Sequence, residues 1–236
     1  EAPWFEPLSL LTMIASNTSK INLATAILIA PLRNPALLAK TVATLDTISK
    51  GRLELGVGLG WQKEEFDAAG VSFADRSEIF WETLEICKSL WQDSPISFHG
   101  KHFNFDDIWC QPRPAQGQNL PLLFGLKMTQ ENAQRIAKVG HGWIPIKTSR
   151  DFISAGRDIL SEAFIKEGRQ EQPRIRGQLP TCVDDHGVPN IDLTLNELEK
   201  SMAAGLDEVE VFPINFVQAP GDIYKVLKLI SEVKKS

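Results

Sequence analysis

No stretch of eighteen apolar residues occurs in the chain, and neither a charged-then-apolar leader nor a lipidation motif is present. These absences argue against a membrane span, a secretory signal and a lipid anchor, so the chain reads as soluble and cytoplasmic. Cysteine is scarce: Cys87, Cys110 and Cys182 are odd in number and widely spaced, with no Cys-x-x-Cys, as fits reduced thiols in the cytosol. No block of five or six like charges accompanies the net charge of −5. Nucleic acid and anionic membranes are therefore not indicated as partners, which leaves a small molecule. A Gly-x-Ser-x-Gly elbow is missing and no histidine adjoins a serine or cysteine in a helpful motif, so nucleophilic hydrolysis fits poorly. Internal repeats and linker-like composition shifts are also lacking, and residues 1–236 read as one domain. The chain starts at Glu1 without a methionine, from which the expectation is that something upstream was removed or omitted.

What is present is enough for a large core: 236 residues, 43% hydrophobic and 23% charged, need neither disulfide nor metal to fold. The organising stretch is Gly51 to Phe66. An alternating strand (Leu53, Leu55, Val57) runs into glycines at 56, 58 and 60, then into Trp61 and an acidic helix start. Bare glycine backbone lets a ligand lie against the main chain, and a helix start attracts anions, so this strand end is the first candidate site. A tight strand-to-helix turn is the plain alternative.

Upstream, Pro7 opens a helix to Asn17 with Leu8, Leu11 and Ile14 on one face, and the apolar run Ile21 to Ile29 reads as a parallel strand covered on both sides. Asn34-Pro35 caps a helix to about Ile48 with Leu37, Leu38, Val42 and Leu45 as its stripe. Downstream, Asp75 to Glu78 has capping-box spacing for a helix to Gln92, residues 97–103 form a small hairpin, and 109–121 is loop. Strands are expected at 121–125, 142–146, 174–183 and 208–212. Helices are expected at 129–138, 150–167, from a second capping box at Thr194 to Gly205, and at 222–233. Six strands alternating with helices mean a parallel sheet, either doubly wound or a (β/α) barrel.

Several residues invite chemistry. His99 and His102 are three apart, but a hairpin setting without an acidic or cysteine partner makes them solvated or packing residues. His141 starts a strand and takes the structural reading, and Glu64-Glu65 suit a helix start by the dipole alone. Gly56-Val57-Gly58-Leu59-Gly60 resembles a dinucleotide fingerprint, yet its third glycine comes one residue early and a whole βα unit precedes it. A nicotinamide-dependent dehydrogenase on a doubly wound sheet therefore stays as a further alternative.

Taken together, Leu23 to Leu28, Arg33-Asn34-Pro35 with Ala43 to Asp46, Gly51 to Phe66, Arg76 followed by Leu90-Trp91, and Gly140-His141-Gly142-Trp143 resemble the bacterial luciferase-like monooxygenase family. That resemblance implies an α/β fold of the (β/α)8 TIM-barrel type, here lacking the first β-α-β segment, with FMN or coenzyme F420 as cofactor. It implies a flavin- or deazaflavin-dependent oxidoreductase or monooxygenase acting on a small organic substrate, with a homodimer compatible. The alternative is a non-catalytic flavin-binding barrel or partner subunit. The cofactor-binding positions it implies are Thr25, Ala26 and Ile27, with a non-proline cis peptide at Ala26-Ile27; Leu59, Gly60, Trp61 and Glu64 at the ring; and Gly125, Leu126 and Lys127 as the phosphate turn. Trp61 and Trp143 are candidates to wall the pocket. No metal is implied, and no general acid or base is named, because the family's acidic and histidine residues belong to a segment before Glu1. Two departures stand out: Leu126 where a second glycine is usual, and His141 where relatives often carry Asp.

Overall fold

The computed structural model describes residues 5–217 and 219–233, in two compact units that meet in sequence at Gly125 and Leu126. In the first, α1 (Pro7–Asn17) starts at Pro7, and the Glu6 carboxylate accepts the amides of Leu8 (3.3 Å) and Ser9 (2.7 Å). Leu8 and Ala15 are buried, while Leu11 and Ile14 are only half-buried. Burial alone would raise the Glu6 carboxyl, but hydrogen bonds from Ser9 and Leu8 and the Arg33 guanidinium at 2.8 Å outweigh it and bring it down to about 2. A lowered carboxyl stabilises the fold fully above its unfolded value of 4.5, and that contribution is lost as pH falls toward 2. Glu6→Gln is expected to flatten the melting-temperature profile over that window, by about 1 kcal/mol at most given solvent screening. An acid limb identical to the wild type would refute the assignment.

The run expected as one strand is two, β1 (Leu23–Ala24) and β2 (Leu28–Ile29), both parallel to β3 (Leu53–Gly58). Leu23 aligns with Leu53 and Leu28 with Val57, so five steps on one side face four on the other. The extra residue is a bulge at Thr25 to Ile27, where the Thr25 hydroxyl donates to the Gly56 carbonyl at 2.8 Å and a cis peptide joins Ala26 and Ile27. Between β2 and β3, α2 (Pro35–Ser49) is capped by the Asn34 side chain on the Leu37 amide at 3.1 Å. Its inner face is Leu38, Ala39, Val42, Ala43, Leu45 and Asp46; Leu37, expected in the stripe, is 65% exposed because it falls outside that arc.

After β3 come α3 (Lys63–Ala69) and α4 (Arg76–Gln92). The capping box expected at Asp75 does not form. Glu78 instead holds the Lys101 ammonium (2.6 Å) and His102 Nε2 (3.0 Å), and Glu82, one turn on, accepts the amides of Lys101, His102 and Phe103. These carboxylates tie α4 to the tip of an antiparallel hairpin, β4 (Ile96–His99) and β5 (Asn104–Ile108). Trp91 Nε1 donates to the Ala39 carbonyl at 3.0 Å, joining α4 to α2. Last in this unit, β6 (Leu122–Gly125) pairs with β3, Gly58 aligning with Gly125.

The second unit runs α5 (Gln130–Val139), β7 (Gly142–Trp143), α6 (Arg150–Lys166), β8 (Arg174–Gln178), α7 (Ile191–Leu195), α8 (Leu198–Ala203), β9 (Glu208–Glu210) and α9 (Ile223–Glu232). β7, β8 and β9 are parallel. β7 is shorter than expected, and the helix expected after Thr194 is two short ones. Asn190, not Thr194, caps α7, and the Thr194 hydroxyl accepts the Cys182 amide at 2.9 Å. Core side chains are Trp143, Ile153, Leu160, Phe164 and Ile175.

Arginines clamp the chain near the N-terminal ends of strands. Arg52, just before β3, donates to the carbonyls of Ser49, Ile21, Ala15 and Thr18 and to the Thr18 hydroxyl. Within the second unit, Arg169 binds the carbonyls of Ala137 in the last turn of α5 and of Gly140 just after it, and Arg157 binds that of Gly205 after α8.

Candidate functional site

In the first unit the strand ends gather most of the residues singled out above. The bulge turns Ile27 across the level ends of β3 and β6: a Cβ on Gly58 would lie 2.8 Å from Ile27 Cδ1, and one on Gly125 2.7 Å from Ile27 Cγ2. A Cβ on Gly60, whose φ is +77°, would meet Ile29 Cγ2 at 2.7 Å and the Phe66 ring at 3.0 Å. The glycine spacing therefore makes room for the neighbouring strand's isoleucines, which is a packing reason. What remains open to solvent is a rim. Thr25 is buried and Ile27, Leu59, Gly60 and Gly125 are half-buried, whereas Ala26 and Glu64 are exposed and Trp61 is 83% exposed, with no ring stacked on it among the described residues.

One residue at this end was not singled out as a site from sequence. Phe66, under Gly60, meets Phe73 edge-on with centroids 5.2 Å apart, and the Arg76 guanidinium lies 3.9 Å over the Phe73 ring while Nη1 donates to the Phe73 carbonyl. Its Nε is buried and has no acceptor among the described residues. A buried guanidinium N–H without a partner is costly, and such groups are completed by an ordered water or by an anionic ligand. Position 76 matched the family pattern, but the stacking on Phe73 is not visible in a linear reading.

In the second unit, the carbonyls of Leu126 and Lys127 accept from Trp143 Nε1 (2.8 Å) and Asn132 Nδ2 (2.9 Å), so the turn into α5 is held rigid. Leu126 is buried and Lys127 exposed. Trp143, read as a pocket wall, is fully buried and packs on Gly156 and Phe152; its indole is a core brace. Farther along, Arg174 and Arg176 both bind Glu208. Burial would push the Glu208 carboxyl up, but these hydrogen bonds outweigh it and hold it below its ordinary range. Glu210, two residues on and so on the same strand face, is raised by burial. A carboxyl that retains its proton longer than usual at the C-terminal end of a strand is suited to proton transfer.

Among the described residues no group of three metal-ligating side chains occurs. The histidines expected to lack acidic partners have them: His99 pairs with Asp106 at 3.1 Å and His102 with Glu78.

Parallel strands alternating with helices, with the candidate site residues at strand C-terminal ends, make this an α/β protein of the (β/α)8-barrel type. The sequence pattern of luciferase-like monooxygenases matches residues 1–187, and the chain belongs to that family. It is 36% identical over 159 residues to an uncharacterized protein of Mycobacterium bovis, covering 67% of this chain and 55% of that one. It is 30% identical over 181 residues to the F420-dependent glucose-6-phosphate dehydrogenase of Kineococcus radiotolerans, covering 74% and 51%. The chain thus spans about half the length of the curated relatives it matches. The oxygenating constituent of 3,6-diketocamphane monooxygenase from Pseudomonas putida, in complex with FMN, superposes with a TM-score of 0.77 over 98% of this chain and 85% of that one, at 17% identity. At that identity the likeness establishes the fold. No described helix is long and apolar enough to cross a membrane.

Proposed function

We propose that this chain belongs to a flavin- or deazaflavin-dependent oxidoreductase acting on a small organic substrate, with FMN or coenzyme F420 held at the strand ends of the first unit. The observation that carries the reading is the strand-end rim, with Ala26 and Trp61 exposed and Gly60 half-buried, together with an Arg76 Nε that is buried without an acceptor among the described residues. These groups fit a flat, anionic cofactor: Trp61 offers a face for a ring, and Arg76 offers a donor to an oxygen. The family resemblance assigns cofactor-ring contacts to Thr25, Ala26, Ile27, Leu59, Gly60, Trp61 and Glu64 and, separately, a phosphate turn to Gly125, Leu126 and Lys127. The cofactor supplies the redox chemistry, and the chain's residues position it and exclude water. Cys87, Cys110 and Cys182 are all free thiols, in keeping with a cytoplasmic setting.

Titration of the protein with FMN and F420 side by side, followed by quenching of tryptophan fluorescence, tests this. Saturable binding of one of them is expected, and the tighter ligand decides between the two classes. Trp61→Ala should weaken it about fivefold, as loss of a ring contact worth about 1 kcal/mol, and Arg76→Gln about tenfold. Binding of neither cofactor would overturn the proposal.

A further inference from the structure

A second cavity in the first unit, of about 350 Å³, shares no residue with the strand-end rim. Its walls are the turn 31–34 that leads into α2, the end of α3 at 69–72, Ile79 of α4, and His102 with Phe103 at the hairpin tip. The volume lies within the range of small-molecule sites. A smaller cavity of about 240 Å³ shares Leu32, Arg33 and Asn34 and continues toward Leu8 and Thr41, so Arg33 stands between two recesses.

The polar groups along these walls are biased toward donation. Arg33 is about one-third exposed, and of its guanidinium only Nη2 has an acceptor among the described residues, the Glu6 carboxylate. Asn34 commits its side-chain oxygen to the Leu37 amide, so its NH2 group is the part left to offer. Ser72 Oγ accepts the Asp75 amide and retains its own proton for donation. His102 is fixed by Glu78 through Nε2. No carboxylate lines either recess: Glu6 and Glu78, which balance Arg33 and His102, are not among the wall residues. The remaining surface is apolar, with Val71, Ile79 and Phe103 facing Leu32 and Pro31.

We propose that this cavity is a binding site for a small organic anion, with its anionic oxygens at Arg33 and Asn34 and an apolar body of about one ring against Val71, Ile79 and Phe103. The hairpin tip is the outer wall, held in place by Glu78 and Glu82 on α4. The site stands whether or not the strand ends take a redox cofactor. It gives this chain a second small-molecule contact, distinct in its residues.

The test is an NMR titration of the whole chain with benzoate, phenyl phosphate and, as neutral isostere, benzyl alcohol. Saturable shifts centred on Val71, Ser72, Ile79 and Phe103 are expected for an anionic probe, with benzyl alcohol about tenfold weaker, as loss of a charge-assisted hydrogen bond implies. Arg33→Gln should weaken the anion by a similar factor. Because that change also leaves Glu6 without its cation, Val71→Trp is the second variant: it fills the recess, leaves every charge in place and should abolish the shifts while the spectrum elsewhere stays folded. Absence of shifts, equal binding of benzyl alcohol, or shifts that survive Val71→Trp would each overturn the proposal. FMN and F420 titrated into the same sample report separately on the strand-end reading, so one can fail without the other.

Discussion

Alanine at Gly142 is expected to cost several kcal/mol, enough to leave little folded protein at room temperature. Gly142 aligns with Arg174 where β7 runs beside β8, and a Cβ there would land well inside the van der Waals radius of the Arg174 carbonyl oxygen. That oxygen belongs to a strand backbone, so relief requires separating the strands, and the hydrogen bond from the Arg174 amide to the His141 carbonyl (3.0 Å) would go with it. Overpacking against movable side chains costs about 1–3 kcal/mol, and a clash with backbone belongs above that range. A useful contrast is Gly70, where an added Cβ meets nothing and only the φ of +68° opposes it. Gly70→Ala should cost about 1 kcal/mol. Urea unfolding of both variants settles the matter: a Gly142→Ala midpoint within error of wild type would mean that the strands are not packed this closely.

Asp46→Ala is expected to destabilise the fold by about 3 kcal/mol, since it removes two hydrogen bonds to a charged acceptor and strands their donors. Asp46 is fully buried in α2 and its carboxylate accepts the Gln116 amide and Gln116 Nε2, both at 2.9 Å. Gln116 Nε2 reaches on to the Leu53 carbonyl at 2.8 Å, and its Cγ lies 3.2 Å from where a Cβ on Gly51 would stand. One carboxylate thus fixes the loop 109–121 to the start of β3. A double-mutant cycle with Gln116→Ala should show coupling of about 1–3 kcal/mol. Cofactor affinity should be unchanged in whatever fraction stays folded. Additive effects, or a loss below about 1 kcal/mol, would show that the contact is incidental.

Local rules carried the sequence reading far. Asn34 and Thr129 cap their helices as their residue types predict, and each expected parallel strand exists, though several are shorter. Failures occur where a side chain has a distant competitor. Asp75 and Glu78 have capping-box spacing, but Lys101 and His102 lie across the hairpin and take Glu78; Thr194 is claimed by the Cys182 amide in the same way. The bulge at Thr25 to Ile27 was unreadable from composition, because it is a mismatch of register with β3 rather than a property of the run itself. Residue spacing placed the C-terminal end of β3 among the glycines at 56, 58 and 60. It did not disclose that Ile27 already fills the space above Gly58 and Gly125, nor that Arg174 and Arg176 converge on Glu208, since both depend on which strands are neighbours.

The Arg52 clamp differs from most ion pairs in what it holds. Arg52 donates to backbone carbonyls and one hydroxyl, all of them neutral, so added salt has no counter-charge to screen. Acid that protonates Glu6, or ionic strength that loosens the exposed pairs, leaves these attachments intact. The turn held by Arg52 should then exchange its amide protons more slowly than the rim around Trp61, which can change in sequence without loosening the frame beneath it.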